Sequence, residues 1–152
     1  MPTALARLLR SSLFCLLARI LLTFVFWGAG LAKAIDFEGA TAEVAGFGLQ
    51  PAAAINGLAV VVLLAGSALV ILDRMAWLGL GALAVFTALT IPLVHHFWTM
   101  EGAEATAHFH TATEHVTVIG ALMIAAILSH RLEEDGVADE GSPPAAVRAA
   151  AS

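Results

Sequence analysis

Residues 52–72 read AAAINGLAVVVLLAGSALVIL and hold no charged side chain. A helix that crosses the hydrocarbon core of a bilayer needs about 20 such residues, and this stretch supplies them. Three further apolar blocks flank it. Leu13 to Ala34 is broken only by Arg19 and Lys33, Met75 to Trp98 carries Pro92 near its end, and His115 to Ser129 is the last. The fourth block is short for a crossing, so its helix is expected to begin further back, near Thr106 or Thr111. In lipid only helices and closed barrels satisfy their own backbone polar groups. The blocks lack the period-two alternation of barrel strands. The expectation is an all-α integral membrane four-helix bundle with spans at about 13–34, 52–72, 75–98 and 111–130, forming one domain over 13–130.

Composition agrees. The chain has 152 residues, 60% of them hydrophobic and 12% charged, against about 45–50% and 25% in soluble domains. Trp27, Trp77 and Trp98 fall near block ends, where interfacial aromatics sit. The net charge of −5 comes largely from Glu133, Glu134, Asp135, Asp139 and Glu140, and no basic patch points to nucleic acid. Cys15 is the single cysteine, which excludes an intrachain disulfide, a CxxC pair, a CxxCH haem attachment and a cysteine-held cluster.

Orientation follows from basic residues near span ends. With the N-terminus inside, the inner flanks collect Arg7, Arg10, Arg19, Arg74, Arg131 and Arg148, and the outer flanks only Lys33. The expected topology is therefore N-in/C-in. Residues 1–12 form a cytoplasmic flank, Asp36 to Pro51 a polar outer connection, and 131–152, with Gly141-Ser142-Pro143-Pro144, a disordered acidic cytoplasmic tail. One rival remains: Ala32-Lys33-Ala34 is also an A-x-A cleavage pattern after an apolar run. Cleavage there would leave three spans and place the acidic tail outside.

The polar residues in and beside the spans are few. Arg19, about two turns into the first block, either snorkels to headgroups or pairs, with Asp73 the nearest candidate. Lys33 suits an anionic headgroup, and Asn56 suits a cap or an interhelical hydrogen bond. Gly28, Gly30, Gly57, Gly66, Gly79, Gly81 and Gly120 would allow close helix approach.

Histidines carry the chemical signal. His95, His96, His108, His110 and His115 all map to the outer side, with Glu101, Glu104 and Glu114. On a helix reaching back to Glu104, the residues Glu104, His108, Thr111 and His115 share one face, and His95 and His96 end the neighbouring helix. Three readings stand open. These are interfacial histidines beside acids, a site for a divalent metal at His95, His96, Glu104, His108 and His115, or a bis-histidine haem between His95 or His96 and His115. Phe24, Phe26, Trp27, Phe97, Trp98 and Phe109 are expected at the same level. They form either an aromatic belt or, through Trp27, Phe97 and Trp98, the floor of a quinone pocket.

Several segments resemble one family. Leu17-Ala18-Arg19-Ile20-Leu21-Leu22 followed by Trp27-Gly28-Ala29-Gly30-Leu31-Ala32-Lys33 is similar to the first helix of DoxX family membrane proteins. Ala45-Gly46-Phe47-Gly48-Leu49-Gln50-Pro51 is similar to the family's short loop. His95-His96-Phe97-Trp98 resembles the end of its third helix, and Ile119-Gly120-Ala121-Leu122 its Gly-containing fourth. The resemblance runs over roughly 13–130. It departs from the family at Val60 to Leu64, where many members carry a Glu, and at His108 to His115, which replace Asn and aromatic residues. What the resemblance implies is a bacterial inner-membrane protein of redox or detoxification systems, such as a small subunit of a quinone-linked oxidoreductase like thiosulfate:quinone oxidoreductase. The expected partners are the bilayer and a soluble or membrane oxidoreductase, with a homo-oligomer compatible. A self-contained metal or quinone oxidoreductase and a small-molecule transporter are the alternatives.

Overall fold

A computed structural model describes residues 3–140; the expectations for Arg148 and the Gly141–Pro144 run lie outside the described residues. Those residues form seven helices: α1 Thr3–Leu9, α2 Ser12–Leu22, α3 Phe24–Ile35, α4 Phe37–Gly46, α5 Ala52–Ile71, α6 Ala76–Leu93 and α7 Gly102–Glu140, with a 3-10 turn at Phe97–Thr99. No strand occurs among them. Among the described residues three segments are long and apolar enough to cross a membrane: Ala52–Ile71, Ala76–Thr99 and Gly102–Leu132. The bent pair α2 and α3 makes a fourth crossing if it counts as one span.

The uncharged stretch became α5, as expected. Its neighbours differ from the expectation in three places. The first block is two helices bent by 55° at Thr23. Thr23 leaves helical geometry at φ −95°, ψ 3°, and its hydroxyl donates back to the Arg19 carbonyl at 2.8 Å, a local bond that competes with the helix and bends it. The Trp27 indole donates to the Ile20 carbonyl at 3.3 Å, so the bend keeps its polar atoms satisfied away from water.

The outer connection holds a helix, α4. Asp36 caps it by accepting from the Gly39 amide at 2.9 Å, and Glu38 lies in its first turn, where a negative charge suits the helix dipole. Ala40 and Val44, one turn apart, are its buried face. The fourth helix starts at Gly102, earlier than expected, because a left-handed Gly102 (φ 62°) turns the chain directly after the 3-10 segment. It continues to Glu140, beyond the expected end at 130.

The core is built where α3, α5, α6 and α7 meet. Phe26, Leu63, Val70, Ala76, Leu80, Leu83 and Leu122 form one buried cluster. Lipid tails are as apolar as these residues, so close packing rather than water exclusion must hold the spans together. The closest approach is between α5 and α6. A Cβ on Gly79 would stand 2.6 Å from the Gly66 carbonyl oxygen, and one on Gly66 would stand 3.0 Å from Leu83. Buried hydroxyls are neutralised within their own helices: Ser67 donates to Leu63 O and Thr87 to Leu83 O, each at 2.7 Å. Between α5 and α6 the turn carries Asp73 and Met75 at positive φ (55° and 50°), a region Asp tolerates and Met rarely enters.

Asn56 bonds between helices, one of the two roles open to it from sequence. It is fully buried, and its Nδ2 donates to Phe37 O and Thr41 Oγ1, both at 3.3 Å, fixing α4 over the start of α5. Its Oδ1 has no partner. An unmade bond already costs the folded state something, so the pair of long bonds offsets little more than that cost. Asn56→Leu is therefore expected to lower stability by no more than about 1 kcal/mol in a detergent-titration unfolding assay.

Candidate functional site

The ends of the bundle carry different chemistry. Arg19 Nη2 meets Asp73 Oδ2 at 2.6 Å, the pairing that the sequence offered beside a headgroup contact, and it ties α2 to the turn that follows α5. Eighteen residues of α6 separate that end from the other, about 27 Å at the helical rise. Lys33 is held at 2.8 Å by Glu43 of α4, a partner hidden in sequence because Glu43 falls in the polar stretch Asp36 to Pro51.

Beyond the end of α6, the chain folds back through the 3-10 turn and returns as α7. This return brings His95 against α7. His95 Nδ1 lies 3.1 Å from His108 Nδ1, and its ring centroid is 5.0 Å from that of His115. His108 and His115, two turns apart on α7, thus share the face expected for them. All three rings are half-buried. The short Nδ1–Nδ1 contact requires one ring to donate and the other to accept, so the pair is built to hold a single hydrogen between them. Such a pair can pass a proton to or from a third group without a large movement.

The other candidates separate from this trio. His96 faces Trp98, with centroids 6.4 Å apart. His110 is exposed beside Phe109, and Glu104 is exposed on the first turn of α7. Among the described residues no group of three or more His, Cys, Asp or Glu side chains has the geometry to hold a metal ion. Two nitrogens 3.1 Å apart could share an ion as neighbouring ligands, but the full set of His95, His96, Glu104, His108 and His115 is not assembled.

Aromatic rings also divide. Phe97 packs edge-to-face on Trp98 and on Phe109, each at 5.2 Å, and these rings touch His96 and His110. Trp27 packs instead on Phe24 at 5.0 Å, at the Thr23 bend, and Phe26 is in the core. Of the three residues expected to floor a quinone pocket, Phe97 and Trp98 stand together and Trp27 does not join them.

The DoxX family model matches residues 14–96. The chain belongs to the DoxX family. No curated protein and no solved structure matches it. The matched segment ends with the His95-His96 pair, so this DoxX protein takes one member of its imidazole trio from the family region and two, His108 and His115, from α7 beyond it. With its apolar helices, family membership makes it a multi-pass membrane protein.

Proposed function

We propose that the chain is a membrane subunit or anchor of a quinone-linked redox or detoxification system, lying N-in/C-in in a bacterial inner membrane. One observation carries this reading: three imidazoles, His95, His108 and His115, meet at the turn from α6 to α7, the same turn at which Phe97 packs edge-to-face on Trp98 and Phe109. A quinone head needs apolar walls and a group that exchanges protons, and aromatic side chains and imidazoles at one turn support that reading. The lone Cys15 excludes an internal thiol pair, so redox chemistry must come from a bound cofactor or a partner, and the subunit reading takes the partner. The bias of basic residues supports the orientation.

The contact between His95 and His108 also favours a second reading, a self-contained oxidoreductase with quinone at the trio. Transport draws on the bend at Thr23, since broken spans line the sites of many transporters, but the sequence shows no internal repeat to accompany it.

Purification from native membranes in mild detergent, followed by mass spectrometry of co-eluting proteins, separates these readings. A recurring oxidoreductase at fixed stoichiometry is the expected result. A protein that elutes alone, with quinone reduction intact, would replace the subunit with the self-contained enzyme.

A further inference from the structure

The opposite end of the bundle holds a cleft of about 440 Å³, within the size range of small-molecule sites. Cys15, Arg19 and Leu22 line it from α2, Asp73 and Leu80 from the α5–α6 hairpin, and Leu128 from α7. It exists because α2 is poorly packed: none of its residues is buried, and the ion pair from Arg19 to Asp73 bridges it to the α5–α6 turn. Leu128 is 54% exposed and Leu132, also at the cleft, 70% exposed. The cleft thus opens sideways onto the surface that meets lipid.

We propose that this cleft holds one anionic phospholipid, its phosphate on Arg19 and the upper part of an acyl chain between α2 and α7. Arg19 has five N–H donors and gives Asp73 a single nitrogen, while 32% of its side chain stays accessible. Guanidinium is well matched to phosphate oxygens. The charge pattern along the bundle suits a headgroup layer. Arg19, Arg74 and Arg131 stand at this end against Asp73, and the acids Glu133, Glu134 and Asp135 begin only beyond Arg131. The wall below the ion pair, Leu22, Leu80 and Leu128, is apolar, as an acyl chain requires.

Cys15 lines the cleft and is the chain's single cysteine, so its alkylation by a maleimide reports occupancy. The full chain, delipidated in neutral detergent, is mixed with phosphatidylglycerol, phosphatidylcholine, ubiquinone or inorganic phosphate. Phosphatidylglycerol is expected to slow alkylation about tenfold at about nine times its Kd, because only the unoccupied cleft reacts, at concentrations where the other three have no effect. Arg19→Gln should abolish the protection. Asp73→Asn, which suits the left-handed backbone at 73, should keep the protection and reach it at lower lipid concentration, because the guanidinium is released. Equal protection by phosphatidylcholine would make the cleft a general apolar groove and overturn the proposal. So would protection by phosphate alone or by ubiquinone, or loss of protection in Asp73→Asn. If Arg19→Gln does not purify as a monodisperse species, the lipid comparison and Asp73→Asn still decide.

Discussion

Replacing Gly79 by alanine is expected to lower the stability of the bundle by about 1–3 kcal/mol, the usual cost of forcing a methyl into a packed interior. The new Cβ would lie 2.6 Å from the Gly66 carbonyl oxygen and 3.0 Å from Leu69 and Val70. The first of these is backbone, which cannot rotate away, so α5 and α6 must separate. Separation loosens Leu83, which is fully buried and packs over Gly66. Gly79→Leu should prevent assembly of the hairpin altogether. Gly28 and Gly57 provide controls, because a Cβ at either meets nothing within 4 Å. Alanine there should be neutral or slightly stabilising, since glycine weakens a helix by about 1 kcal/mol. Unfolding in mixed micelles, followed by helical circular dichroism, reads the difference. Equal stability of Gly79→Ala and Gly28→Ala would show that close backbone approach does not hold the spans together.

The glycines also show where sequence reading reaches its limit. Seven were legible as sites of close approach, and one pair, Gly66 and Gly79, proved to be the place where two backbones touch. Choosing that pair needs the register between α5 and α6, which is a tertiary property. The uncharged stretch at 52–72 was legible because a bilayer imposes both length and composition. The bend at Thr23 was not, because no Pro or Gly marks it and a threonine in an apolar run reads as ordinary helix. Helix α4 did leave a signal, the capping Asp36 with Glu38 behind it, masked by three glycines that favour a loop reading. At the site, the shared face of His108 and His115 followed from helical period alone. Their meeting with His95, rather than with His96 or Glu104, depends on how the 3-10 turn aims the end of α6, and no spacing rule contains that angle.

The trio gives the second large effect. On the proposed reading, in membranes that hold the chain with a co-purified oxidoreductase, His95→Ala is expected to lower quinone-linked turnover about 10²-fold, at the low end of what a positioned proton-transfer group contributes. His108→Ala should do the same. The double substitution should be no worse than either single, because the two rings act through one shared hydrogen and removing either leaves the other without its partner. His115→Ala is expected to cost less, since its ring touches His95 edge-on rather than through the Nδ1–Nδ1 contact. His96→Ala and His110→Ala are expected to leave turnover unchanged, because His96 faces Trp98 and His110 faces Phe109 and solvent. Acidification gives a second arm. Once both rings are imidazolium, two N–H donors point at one another across 3.1 Å, and the pair must open. Turnover should then fall on the acid side in the native chain and lose that dependence in His95→Ala. Full activity in both single variants would leave the chain a passive anchor and move the quinone to its partner. Additive losses at His95 and His108 would mean two independent groups, not the coupled pair that their 3.1 Å separation describes.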